Sequence, residues 1–192
     1  MLAIRHACQA LVLVVLASPL ALAKEPAKPA AAKITFNGVE YVHRSTLNGR
    51  SDYTPAAQAG DKWRDRMTIV VRENVTTSEQ LSQIASNLVE TVSDIGEVVR
   101  AESTPNMHND QTEHFFAAKM QAPRYSQASF ARLGLAEGKG MVVVYSHRTY
   151  GEHHAESSTG WMDRNGEATE RALMNWKGMP KLAQLRALPQ SK

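Results

Sequence analysis

Residues Ser129 to Tyr150 read SFARLGLAEGKGMVVVYSHRTY, and this stretch decides the class of fold. Ser129–Leu135 and Met141–Tyr150 are two strand-like runs. They are separated by Glu137-Gly138-Lys139-Gly140, a glycine-rich connection of the kind that joins antiparallel strands. The run Met141-Val-Val-Val-Tyr145 has no polar alternation. A strand of that composition is covered on both faces, so it needs a layer above the sheet and another below.

Working outward, both covers are legible. Leu81, Ile84, Ala85, Leu88, Val92 and Ile95 recur at the spacing of one helical face, which predicts a helix over 78–95. Thr76 with Glu79, or Thr77 with Gln80, can form a capping box at its start, and Gly96 supplies the stop. Its polar face is not rich in Lys or Arg, so it is a core-packing helix and not a membrane-surface one. After the deciding stretch, Trp161, Met162, Asn165, Ala168, Ala172, Leu173 and Trp176 recur at helical spacing from Ser158 onward. Asn165-Gly166 sits inside that pattern, placed to break or kink it. Pro180–Leu188 adds a last short helix.

The remaining segments read as strands. Ile34–Phe36, Asn37-Gly38 and Val39–His43 form a hairpin, because Asn-Gly accepts positive φ at both turn positions. A second Asn48-Gly49 precedes Arg50–Tyr53 and extends it to a three-strand meander. Thr54-Pro55 reads as a helix start, ended by Gly60. Met67, Ile69 and Val71 alternate with Thr68, Val70 and Arg72 in a largely buried strand. Val98–Glu102 is a strand, Ser103–Gln111 a loop, and Glu113–Ala122 a long strand. The expected fold is α+β: a single domain with a mostly antiparallel sheet and helices on both faces.

That order of elements is similar to the α/β/α sandwich of the PsbP-like and DcrB-like exported proteins. The comparison rests on the hairpin at 34–43, the helix at 78–95, the strands across 113–150 and the helix from 158. The segment Thr54-Pro55-Ala56-Ala57-Gln58, with Trp63, Asp65 and Thr68, also resembles small exported bacterial proteins of uncharacterised role. Neither resemblance carries a functional residue over to this chain.

Of the 192 residues, the first 23 read as a secretory signal: Arg5 with no acid, the apolar run Ala10–Leu16, then Ala21-Leu22-Ala23 before the expected cleavage. The apolar run is too short for a spanning helix. Residues 24–33 (KEPAKPAAAK) read as a flexible Ala/Pro/Lys linker, and 34–192 as the domain. Cleavage would remove the one cysteine, Cys8, leaving a thiol-free domain suited to the periplasm or to secretion. The rest of the chain has no second long apolar run, so no membrane span is expected after cleavage. Twenty-two Lys and Arg against 19 Asp and Glu, well interspersed, disfavour nucleic acid as a partner.

Chemistry is sparse. No nucleophile motif, P-loop or dinucleotide fingerprint occurs in the domain. By period 2, Tyr145, His147 and Thr149 share one face of the last strand, alternating with Ser146, Arg148 and Tyr150. If that strand ends at a pocket, the expected ligand-binding residues are Tyr145, His147, Arg148 and Tyr150. His147, His153 and His154, with Glu152 and Glu156 nearby, are the candidate ligands for a divalent transition metal. His108 and Asp110 are a candidate acid–base pair, and His114 reads as a strand-ladder residue. The expected function is a non-catalytic periplasmic binding or envelope-accessory protein, without a cofactor, whose partner is an envelope protein or small ligand. The alternatives are a metal-binding or hydrolytic enzyme using the His147/His153/His154 region, and an inhibitor or immunity protein.

Overall fold

Two antiparallel four-strand blocks join edge to edge in the computed structural model, which describes residues 32–106 and 111–191. The first block is β1 (Lys33–Phe36), β2 (Val39–Leu47), β3 (Arg50–Pro55) and β4 (Asp65–Arg72). The second is β5 (Gly96–Asn106), β6 (Gln111–Ala122), β7 (Tyr125–Ala136) and β8 (Lys139–Tyr150). The sheet order is β1-β2-β3-β4-β8-β7-β6-β5, so β4 and β8 meet in the middle. Helix α1 (Ser78–Ile95) connects the blocks; α2 (His154–Met174) and α3 (Leu182–Arg186) follow the last strand. The described residues belong to one compact unit. Among them no helix is long and apolar enough to cross a membrane.

The turns form where the sequence supplies the required backbone. Asn37-Gly38, Asn48-Gly49 and Glu137-Gly138 all adopt positive φ at both positions, which matches the twist of the flanking strands. Glu137 enters this region without being Asn or Gly because the β7–β8 register closes on Ala136↔Lys139 and leaves only two residues for the turn.

The pleat divides the core in two. Met67 and Ile69 of β4, and Met141, Val143 and Tyr145 of β8, pack under α2 and α3 with Phe130, Leu173, Trp176 and Leu182. Val142 of β8, with Phe116, Ala131 and Leu133, packs under α1 through Leu81 and Ala85. Leu81 is fully buried, which is worth roughly 1.5–3 kcal/mol. Thr77 caps α1: its hydroxyl accepts from Gln80 N while the Gln80 side chain returns to the Thr77 backbone. This is an α+β sheet with helices on both faces, as expected.

Four local expectations shift. Ser103–Asn106 is strand and not loop, because Ser103, Thr104 and Pro105 continue the register opposite His114, Glu113 and Thr112. β7 begins at Tyr125 and not Ser129, since residues 125–128 find partners on both sides. Thr54-Pro55 ends β3 and leads only into a single 3-10 turn, Ala56–Gln58. Asn165-Gly166 does not interrupt α2, because Asn165 Nδ2 donates to Trp161 O at 2.8 Å and the helix lies against the sheet. The expected signal, most of the expected linker, and the His108/Asp110 pair fall outside the described residues.

The cover over β8 is unequal. On the α2 side Tyr145, Val143 and Met141 are all buried, but on the α1 side Val142 is buried and Val144 only half-buried. Helix α1 packs mainly over β5, β6 and β7, so its cover thins toward the β4–β8 seam.

Candidate functional site

The seam between β4 and β8 sets the site, because its register brings Asp65 opposite His147 and Met67 opposite Tyr145. Asp65, Tyr145 and His147 all point to the α2 face. Asp65 Oδ1 accepts from Tyr145 OH at 2.8 Å and from His147 Nδ1 at 2.8 Å. A carboxylate can only accept, so Nδ1 carries the His147 proton. Asp65 Oδ2 accepts from Gln58 Nε2 at 3.1 Å. The Gln58 amide is itself fixed, since its Oε1 accepts from the backbone of Arg64 and Asp65 at 2.8 and 2.7 Å. The 3-10 turn therefore delivers one oriented donor to the carboxylate.

Burial opposes ionisation of Asp65, yet hydrogen bonds from His147, Gln58 and Tyr145 outweigh it and hold the carboxyl below its ordinary value. Burial, reinforced by the Asp65 charge, pushes the Tyr145 phenol far up; the same two causes raise Tyr41. Both phenols stay protonated in any physiological setting.

A cleft of about 430 Å³ opens beside this network, between α2 and the β1–β3 end of the sheet. Asp65, Gln58 and Tyr145 lie in its lining with the rings of Phe36, Tyr41 and Trp161, and Asn165 and Thr169 add polar groups from α2. Trp161 stacks flat on His147, with centroids 4.1 Å apart and 7° between planes, and faces Tyr145 at 6.2 Å. The result is one ionised carboxylate in an aromatic wall. That arrangement can hold a cation by charge and by the ring faces together.

The sequence-derived ligand residues divide between faces. Tyr145 belongs to this cleft and His147 braces it through Asp65 and Trp161. Arg148 and Tyr150 turn to the opposite face by the pleat. There the Arg148 guanidinium lies between the rings of Trp63 (3.8 Å) and Tyr125 (3.9 Å), and Arg66 lies over Trp63 at 4.2 Å. Arg148 donates to Gln127 Oε1 and Tyr125 OH at 2.8 and 3.1 Å, and Tyr150 OH to Trp63 O at 2.7 Å.

The three imidazoles of the metal expectation are likewise kept apart. His147 bonds Asp65, His154 Nδ1 meets Ser126 Oγ at 2.8 Å, and exposed His153 meets Glu156 at 3.0 Å. Among the described residues no three His, Cys, Asp or Glu side chains group as metal ligands.

His114 is a ladder residue with a further feature. Ser82 Oγ donates to Ser78 O at 2.9 Å, so it accepts from His114 Nε2 at 3.2 Å. Nδ1 is then the acceptor for the Ser103 hydroxyl at 2.8 Å. Burial lowers the His114 pKa, which keeps the ring neutral between its two serines.

Asp65 is the residue that motif reading passed over. Its signal was its place two residues before Met67, Ile69 and Val71, which by period 2 puts an acid on a buried face. Its partner Gln58 has no such signal.

No family model and no curated protein matches this chain. Among solved structures it is similar to the Saccharomyces cerevisiae Ran-binding protein Mog1p, at 9% identity and a TM-score of 0.45, over 70% of this chain and 81% of that one. It is also similar to a point mutant of Protein Mog1, at 10% identity and a TM-score of 0.49, over 81% of this chain and 98% of that one. Likeness at this level assigns neither a family nor a partner to the chain.

Proposed function

We propose that this is an exported, non-catalytic binding protein, built as a PsbP-like α/β/α sandwich, whose cleft beneath α2 receives a small ligand bearing a protonated amine. The observation that carries the reading is Asp65: three oriented donors hold it ionised at the floor of an aromatic cleft. A nucleophile or general base needs a free lone pair directed at substrate and an adjustable proton. Asp65 instead has its charge fixed and most of its acceptor capacity used, which favours recognition over chemistry. The charge draws in a cation and the Tyr41, Tyr145 and Trp161 rings desolvate it without hydrogen-bonding demands.

Export is part of the same proposal and rests on the pattern of residues 1–23. Expressed with its own N-terminus, the protein should be recovered from the periplasm or medium beginning at Lys24. Recovery from the cytoplasm with Met1 intact would overturn that half.

The binding half is tested by calorimetric titration with choline, butylammonium and spermidine against acetate. At least one cation should bind saturably. Asp65→Asn should remove that binding, and Trp161→Leu should weaken it about tenfold, within the range of desolvated cation–π contacts. Equal heats for cations and acetate, or cation binding unchanged in both variants, would sink the assignment.

A further inference from the structure

The incomplete roof of α1 leaves a second recess on the opposite face of the sheet. It is a groove of about 240 Å³ running along the strands between α1 and β3–β4. Its floor is Val70, Val142 and Val144, and its inner wall is Leu88 and Val92 of α1. The outer wall is cationic: Arg50 from β3, with Arg66 and Arg72 from β4. One end is polar, where Ser146 stands opposite Arg66 across the β4–β8 pair, next to Ser129 and Gln127.

The charges in this groove do not balance. Among the described residues Asp52 is the one carboxylate paired with its arginines, and it is already engaged by Arg50 at 3.1 Å and by the Thr68 hydroxyl. Arg66 Nε lies 3.8 Å from Asp52, beyond hydrogen-bond reach. That Nε is buried and has no hydrogen-bond partner among the described residues. A buried donor without an acceptor is costly, and the Arg66 side chain, 22% exposed, keeps its charge within reach of a carboxylate that enters the groove. Arg66, which lies over Trp63 and 3.8 Å from Asp52, is thus a cation whose Nε has no acceptor among the described residues, at the polar end of an apolar channel.

We propose that this groove binds the carboxylate form of a medium- or long-chain fatty acid, its head on Arg66 beside Ser146 and its chain on the valine floor under Leu88 and Val92. Charge and shape choose this occupant. The arginine wall excludes cations and the apolar floor gives a small inorganic anion nothing to cover. A peptide laid in extended form would strand its backbone N–H and C=O groups on the valines. A peptide helix is about 10 Å across, too thick for a groove of this volume. A hydrocarbon chain has no polar group to satisfy, and its burial is favourable in proportion to area.

The test uses the full chain and sodium dodecanoate below its micellar range, followed by calorimetry and by chemical shifts of the carboxylate carbon. Saturable one-to-one binding is expected, weakened about tenfold or more by Arg66→Gln, the range for losing a charge-assisted hydrogen bond. Arg72→Gln, at the far end of β4, should change affinity less than threefold. Neutral dodecanol should bind at least tenfold more weakly than dodecanoate. Asp65→Asn should leave dodecanoate binding unchanged, so this proposal and the cation cleft fail or succeed separately. Equal affinity for dodecanol, no loss in Arg66→Gln with its melting curve intact, or binding to anionic phospholipid vesicles but not to monomeric dodecanoate would each overturn it.

Discussion

Replacing Asp65 by Asn tests the centre of the molecule, because it keeps shape and removes charge. The wild-type carboxylate accepts from Tyr145, His147 and Gln58 at 2.8, 2.8 and 3.1 Å. Asn keeps one oxygen, which can still serve Tyr145 and His147, but those bonds lose their charge assistance. Its amide nitrogen must then face Gln58 Nε2, donor against donor. Gln58 cannot turn its oxygen inward without surrendering the Arg64 and Asp65 backbone donors. Weakening two bonds and opposing a third pair costs about 3 kcal/mol. For a domain of this size that lowers the melting temperature by about 6–12 °C.

The pH dependence gives the sharper reading. Asp65 is held below its ordinary value in the fold. A depressed carboxyl contributes stability that is fully present above its unfolded pKa of about 3.9 and is lost as pH falls toward the folded value. The gap between wild type and Asp65→Asn should therefore be full at pH 7 and narrow progressively below about pH 4. Urea unfolding followed by circular dichroism at pH 7, 4 and 2.5 measures it. A variant as stable as wild type at pH 7, or a gap that widens on acidification, would refute the reasoning.

Further outcomes follow from packing. Leu81→Ala, at a fully buried site under α1, should cost about 2–5 kcal/mol in denaturant unfolding. Gly96→Ala should destabilise by about 1–3 kcal/mol, since a Cβ there would stand 2.4 Å from Lys119 O. Gly166→Ala should do the reverse and raise stability by roughly 0.5–1 kcal/mol: its Cβ would meet Met162 and Phe130 at ordinary contact distances of 3.6 and 3.7 Å inside a helix. Because His147, His153 and His154 engage three different partners, no Zn should be retained through gel filtration after loading. One mole retained per mole, and lost in His153→Ala/His154→Ala, would revive the metal reading.

How much was legible follows from the range of each cause. Helix α1 was readable to its cap and its stop, because the 3.6-residue period and the Thr77–Gln80 box act within a few residues. The Asn-Gly turns were readable for the same reason. The Ser103–Asn106 end of β5 was not, because polar Ser103 and Thr104 are strand only by virtue of β6 beside them. The alternation of Tyr145 and His147 against Arg148 and Tyr150 was visible in the sequence; that each pair meets different chemistry was not.

The sequence by itself determined the α+β class, the antiparallel hairpins, and a helix for each face of the sheet, since turns, caps and periodicity are local properties. Only the tertiary structure decided the sites. Asp65 and His147 are 82 residues apart and meet because β4 and β8 pair in one register, where a slip of one residue would send Asp65 to the other face. The arginine groove depends on where the cover of α1 over the sheet thins. Both are consequences of long-range packing, which no local pattern encodes.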